Sequence, residues 1–143
     1  MPRMPFDKSA YKLVLGRESW RELYAKLEAS QDIVIDLETT SLNPREAMIV
    51  GAAFCTGPDY IAYVPLNYKA ATKVTLADLL GLIVHFQDRR FIGHNLKYDF
   101  SVLLNHGVRL VSAFDTMIAA WLLYPDLKRY NLDTLTGRFL NHE

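Results

Sequence analysis

Asp36 and Glu38 lie two residues apart in Asp32-Ile33-Val34-Ile35-Asp36-Leu37-Glu38, a run of branched apolar residues that reads as a strand. Successive side chains on a strand point to opposite faces. Ile33, Ile35 and Leu37 therefore share one face, and Asp36 and Glu38 share the other. Two carboxylates on one face, about 7 Å apart by the strand rise, are poorly placed for a dry core. A divalent cation between them relieves their repulsion, and Mg²⁺ and Mn²⁺ prefer such hard oxygen ligands. The plainer reading is two acids on a solvated edge strand.

A second acid-bearing string is Asn95-Leu96-Lys97-Tyr98-Asp99. Phe91 to Asn95 reads as a short strand ending in a glycine turn. Leu96 to His106 reads as a helix with Phe100, Leu103 and Leu104 on its inner face, stopped by Gly107 at the C′ position. Asp99 falls in the first turn of that helix, close to the loop that leaves the strand. The plain account of an acid there is compensation of the helix dipole.

The elements around these strings follow from periodicity and turn chemistry. Tyr11 to Leu15 is a short strand. Ser19 opens a helix with Glu22 three places on, a capping-box pattern, and Trp20, Leu23, Tyr24 and Leu27 form its apolar stripe. Ile33–Glu38, Ala47–Cys55 and Tyr60–Pro65 are three strands separated by Asn43-Pro44 and Gly57-Pro58-Asp59, both turn signals. They read as an antiparallel meander. Thr75 caps a helix running to about Phe86, with Leu76, Leu79, Leu80 and Ile83 inward. Leu110-Val111 reads as a further strand. Asp115 reads as the N-cap of a helix over Thr116 to Tyr124, ended by Pro125. Asn131 begins a last helix with Leu132, Leu135 and Phe139 inward. A meander followed by alternating helices and strands predicts a mixed sheet with helices packed on it.

Composition bounds the rest. The 143 residues are one domain's worth of chain, and a 50% hydrophobic content can fill a core. Sixteen basic and sixteen acidic residues cancel, so no global positive field favours duplex DNA. A cleft for a few nucleotides of single strand remains compatible with neutrality. Cys55 is the single cysteine, which excludes an internal disulfide and a cysteine-rich zinc site; its apolar surroundings suggest a buried thiol. The histidines His85, His94, His106 and His142 show no zinc spacing, and there is no P-loop or Gly-x-Ser-x-Gly elbow. Trp20 and Trp121 read as core. No apolar run approaches the 20 or so residues that span a bilayer, and no signal-peptide pattern is present. The default is a cytoplasmic protein with no membrane partner.

Taken together, Asp36-Leu37-Glu38-Thr39-Thr40-Ser41-Leu42, Val64-Pro65-Leu66, Gly93-His94-Asn95-Leu96-Lys97-Tyr98-Asp99, Phe114-Asp115-Thr116-Met117 and Asn131-Leu132-Asp133-Thr134-Leu135 carry a resemblance. The chain resembles the DEDD 3′–5′ exonucleases, specifically the proofreading domains of bacterial DNA polymerase I type. Ribonuclease D-like enzymes share the motif logic, but these blocks look closer to the polymerase. The resemblance implies an α/β, RNase H-like fold: a mixed sheet, antiparallel meander plus parallel strands, flanked by helices. It implies removal of nucleotides from a DNA 3′ end with two divalent cations, Mg²⁺ or Mn²⁺. Asp36, Glu38 and Asp99 match three of the family's four catalytic, metal-binding carboxylates. By that match Asp36 bridges the two ions, Glu38 holds the nucleophile-side ion, and Asp99 holds the second. Thr39, Leu42, Asn95 and Tyr98 match substrate contacts: Thr39 to the terminal nucleotide, Leu42 wedged against its base, Asn95 and Tyr98 to the sugar-phosphate.

Each of these has a plainer reading. Thr39 is a strand-end hydroxyl, Leu42 a core residue, Asn95 a cap of the following helix, Tyr98 an interior aromatic and Lys97 a solvated charge. The family's fourth acid lies in a Tyr-x-x-x-Asp or His-x-x-x-x-Asp pattern on a later helix, which no free position here supplies. Asp115, Asp126 and Asp133 are weaker stand-ins; Asp115 reads as a cap and Asp133 as a first-turn acid. The expectation is therefore a leader or linker over residues 1–10 and a partial, C-terminally truncated exonuclease domain over 11–143. As an isolated chain it would have low or no activity and an exposed or self-associating apolar patch. Expected partners are a single-stranded DNA 3′ end, a polymerase domain, or a chain supplying the last helix. The alternative is a non-catalytic module that holds single strands or docks on a polymerase.

Overall fold

The computed structural model describes residues 8–66 and 72–141. The elements in chain order are β1 (Tyr11–Leu13), α1 (Arg17–Glu28), β2 (Asp32–Thr39), β3 (Ile49–Gly57), β4 (Tyr60–Pro65), α2 (Leu76–His85), β5 (Arg90–Gly93), α3 (Leu96–Asn105), β6 (Ala113–Asp115), α4 (Thr116–Leu123) and α5 (Leu132–Leu140). The strands form one sheet in the order β1-β4-β3-β2-β5-β6. The expected meander is present: β2, β3 and β4 pair antiparallel, while β1 pairs with β4, β5 with β2 and β6 with β5 in parallel. Strand β2 is central, which removes the edge-strand reading of Asp36 and Glu38.

The parallel crossovers through α1, α2 and α3 run the same way across the sheet, so right-handed connections place all three helices on one face. The core confirms it. Ile33, Ile35 and Leu37 from one side of β2 pack with Leu23 and Leu27 of α1, Leu79, Leu82 and Ile83 of α2, and Val102 and Leu103 of α3. The other face is open beside Asp36 and Glu38, with Tyr11, Leu13 and Val34 exposed on it.

Several local expectations change. Helix α1 starts earlier than expected, with Gly16 as N-cap; Ser19 is its third residue and reaches back, accepting from the Gly16 N–H at 3.3 Å. Tyr24 is exposed and bonds His85 Nε2 at 2.5 Å instead of joining the core. Leu104 and Leu132 face solvent, and Cys55 is only half-buried. The sixth strand is Ala113–Asp115, not Leu110-Val111, because the β5 N–H of Phe91 bonds the Ser112 carbonyl at 3.0 Å and fixes the register there. The leader expected over residues 1–10 lies outside the described residues up to residue 7. Lys8–Ala10 form a 3₁₀ turn in which Ala10 is buried. His142 also lies outside the described residues.

Thr75 caps α2 as expected: its hydroxyl accepts the Asp78 N–H at 3.1 Å, and the Asp78 carboxylate accepts the Thr75 N–H at 2.9 Å. The Thr75 hydroxyl, which donates to the same carboxylate at 2.7 Å, and then the Thr75 N–H hold the Asp78 carboxyl below its ordinary value. Gly107, at φ 80°, occupies the left-handed position that ends α3.

Helix α4 departs furthest. It buries no residue among those described. Trp121 is 57% exposed and Leu123 72%, so Trp121 is not core. Between α4 and α5 lies an open groove of about 350 Å³ lined by Ala120, Leu123, Leu135 and Phe139. The expected apolar patch is present here. Covering a leucine from water stabilises by about 1.5–3 kcal/mol, so the 143-residue chain should associate with rising concentration. Sedimentation velocity should show that trend in the wild type and a weaker one in Leu123→Lys; a concentration-independent monomer would contradict it.

Candidate active site

Strand β5 stops at Gly93, and its pairing with β2 covers only Asp32 to Val34. The remainder of β2 therefore lacks a strand neighbour on that side. Asp99, from the first turn of α3, takes the neighbour's place: its carboxylate accepts the Leu37 N–H at 3.0 Å. This makes Asp99 the one buried charged residue among those described, at 4% exposure. A solvated acid answering a helix dipole would not be enclosed in this way. The two acidic strings therefore meet: Asp99 binds the backbone between Asp36 and Glu38.

Burial pushes Asp99 up to about 6; the Leu37 N–H opposes that shift, and the nearby Asp36 charge adds to it. Burial also raises Asp36, which is partly enclosed although its residue faces the open side, and the His94 charge opposes the rise. Burial disfavours the ionised form of both acids, and the Asp36 charge adds to the cost at Asp99; a cation would stabilise such a donor set. Glu38 shares the open face with Asp36 but does not converge with the other two. No group of three His, Cys, Asp or Glu side chains able to hold one ion occurs among the described residues. Asp36 and Asp99 still suit Mg²⁺, which keeps several waters and takes one or two carboxylates.

The start of α3 is fixed by residues from three elements. Gly93 packs so closely that a Cβ there would sit 2.9 Å from Leu96 Cγ and 3.0 Å from the Ile35 carbonyl oxygen. Asn95 follows in the left-handed region at φ 64°, which asparagine tolerates. It occupies the N-cap position, but its side chain makes no cap bond, so the capping alternative fails and the amide is exposed at the site. The cap comes instead from Asp115. Its carboxylate accepts the Asn95 N–H at 3.1 Å and the Leu96 N–H at 2.7 Å, and caps its own helix through the Met117 N–H at 2.8 Å. The sequence predicts the α4 cap and misses the α3 cap, because that contact spans twenty residues. Replacing Asp115 with Ala strips charge-assisted bonds from two helix starts and should cost about 2–3 kcal/mol, read by urea denaturation. A loss under half a kilocalorie would contradict this double role.

His94 is tied into the same corner. Its Nδ1 lies 2.8 Å from Thr116 Oγ1, and its Nε2 lies 2.7 Å from the Tyr130 carbonyl oxygen. A carbonyl only accepts, so Nε2 carries a hydrogen there. The loop ahead of α5 is thereby tethered to the strand end next to Asp36.

The expected substrate residues divide by face. Thr39 Oγ1 meets the Tyr98 hydroxyl at 2.5 Å on the helix-covered side, and Tyr98 also donates to the Ser41 carbonyl. Tyr98 is thus a half-buried anchor for the loop after β2. Leu42 projects from that loop at 95% exposure, which eliminates its reading as core. Lys97 is exposed, as its plain reading requires.

A family model described as 3′–5′ exonuclease matches residues 11–143. The chain belongs to the 3′–5′ exonuclease family. The exonuclease chain is 28% identical over 141 residues to DNA polymerase I of Pseudomonas aeruginosa, covering 92% of this chain and 15% of that protein. It thus spans about a seventh of that relative's length. Among solved structures it is similar to Brucella melitensis NrnC with bound Mg²⁺, at TM-score 0.69 and 19% identity, covering 93% of this chain and 62% of the other. It is also similar to Escherichia coli RNase D, an exoribonuclease involved in structured RNA processing, at TM-score 0.69 and 15% identity, covering 92% of this chain and 34% of the other. These likenesses establish the RNase H-like fold expected from the sequence. No helix among the described residues is long and apolar enough to cross a membrane.

Proposed function

We propose that this exonuclease domain removes nucleotides from the 3′ end of single-stranded DNA with two divalent cations, in the proofreading manner of a polymerase-attached domain in the cytoplasm. The observation that carries the reading is Asp99 bonded to the Leu37 N–H, which joins the acids of both strings at one strand end. Divalent ions held there would make a bound water acidic enough to attack phosphorus and would stabilise charge on the leaving 3′-oxygen.

The chain's own residues prepare the site for this. Asp36 and Asp99 present carboxylates whose ionisation a cation favours, and Glu38 extends the same acidic edge. Asp115 and Gly93 fix the α3 start that aims Asp99. Tyr98, Thr39 and the Ser41 carbonyl hold the loop carrying Leu42, an exposed apolar side chain suited to stacking on a terminal base. The free Asn95 amide suits a sugar or phosphate oxygen. No third ligand joins Asp36 and Asp99 at one point among the described residues. Turnover by these 143 residues is therefore expected to be slow, and a chain bringing a further carboxylate would raise it. The non-catalytic alternative has no support from the relatives.

The test is a 5′-labelled single-stranded DNA with Mn²⁺ and excess protein. Stepwise shortening by the wild type, absent with Asp36→Asn, supports the reading. Failure of the wild type both to bind Mn²⁺ and to shorten DNA overturns it.

A further inference from the structure

On the open face, β3 presents its smallest residues between the acids of β2 and the aromatic ring of Tyr63 on β4. Asp36 pairs with Ala53 and Glu38 with Gly51, and Ala53 in turn pairs with Tyr63. The Tyr63 side chain does not stand off the sheet. It lies across β3 with its hydroxyl end in the space a side chain at 51 would fill: a Cβ there would come within 2.7 Å of the ring Cζ. Only glycine leaves that path open. Directly opposed residues of an antiparallel pair have Cα atoms about 4.5–5.5 Å apart, so a hydroxyl above Gly51 is within reach of the Glu38 side chain. The Glu38 charge is felt there: Tyr63 is raised first by burial and then by Glu38. Nothing in the sequence pattern marks Tyr63, because the register that brings it to Glu38 runs through a third strand.

We propose that Tyr63 is a positioning residue for Glu38, its hydroxyl crossing the gap at Gly51 to hold the carboxylate toward the acidic edge. This rests on the reading of Asp36, Glu38 and Asp99 as the nuclease carboxylates. A phenol O–H that donates to one carboxylate oxygen orients the other, as outer partners of metal-binding carboxylates do. Without it Glu38 has three free torsions on an open face.

The test is a double-mutant cycle on Mn²⁺ affinity, read from the free-ion electron paramagnetic resonance signal, with the whole chain and circular dichroism as a check of folding. Tyr63→Phe keeps the ring over Gly51 and removes only the hydroxyl. It should weaken Mn²⁺ binding by about tenfold in the wild type and leave Glu38→Gln unchanged. Gly51→Ala, which displaces the ring, should reproduce the loss of Tyr63→Phe. Equal effects of Tyr63→Phe on both backgrounds, or none on either while Asp36→Asn still weakens binding, overturn the role of Tyr63 and leave the nuclease reading standing. If Asp36→Asn leaves affinity unchanged, the carboxylate reading falls and the role of Tyr63 falls with it.

Discussion

Asp36→Asn should lower Mn²⁺ binding and the slow shortening of single-stranded DNA by about 10²–10³-fold, the equivalent of several kcal/mol of lost charge stabilisation. The same change should leave the metal-free fold as stable as the wild type, or more so. No described hydrogen bond uses the Asp36 side chain, and burial disfavours its ionised form by more than the His94 charge favours it, so an uncharged isostere removes a net strain. Function and stability thus move in opposite directions on one substitution, as expected where a site stores unfavourable charge for a ligand. Urea denaturation beside Mn²⁺ titration reads both. A variant that binds Mn²⁺ like the wild type would place the ion elsewhere. One that loses binding only by unfolding would make Asp36 structural.

Much of this site was legible in the sequence because its information is local. The alternation of Ile33, Ile35 and Leu37 with Asp36 and Glu38 fixes which face each occupies, and the β2 burial pattern follows it residue by residue. Gly107 and Thr75 end and begin helices as their chemistry requires. What the sequence did not reveal depends on partners far along the chain. Asp115 reads as a cap of its own helix, and its capping of α3 exists only because β6 pairs with β5. Tyr63 reaches the space above Gly51, opposite Glu38, only through the register of β3. Trp121 reads as core in the sequence because its aromatic type and apolar neighbours describe a buried helix equally well. Its exposure depends on what lies against α4, which a helical period does not encode.

The second large effect is in pH. Asp99 titrates near 6 in the folded chain against an ordinary 3.8, so the folded state holds this proton more tightly than the unfolded state does. The contribution to metal-free stability is therefore fully present below about pH 4 and lost as pH rises through 6. A cation reverses the sign, because the carboxylate must be ionised to ligate and each ion bound below pH 6 expels a proton. Apparent Mn²⁺ affinity should then fall about tenfold for each pH unit below 6 and level off above 7. Isothermal titration in two buffers of different ionisation heat should count about one proton released at pH 5 and almost none at pH 7.5. Asp99→Asn should flatten both the affinity profile and the proton count, while keeping an oxygen to accept the Leu37 N–H. A thousandfold excess of ion over its dissociation constant stabilises by about 4 kcal/mol. Saturating Mn²⁺ should therefore raise the melting temperature strongly at pH 7.5. The same concentration should do so weakly at pH 5, where Asp99 has taken up the proton that competes with the ion. A pH-independent rise in melting temperature would mean that Asp99 is not a ligand and that its buried carboxyl serves only the Leu37 N–H.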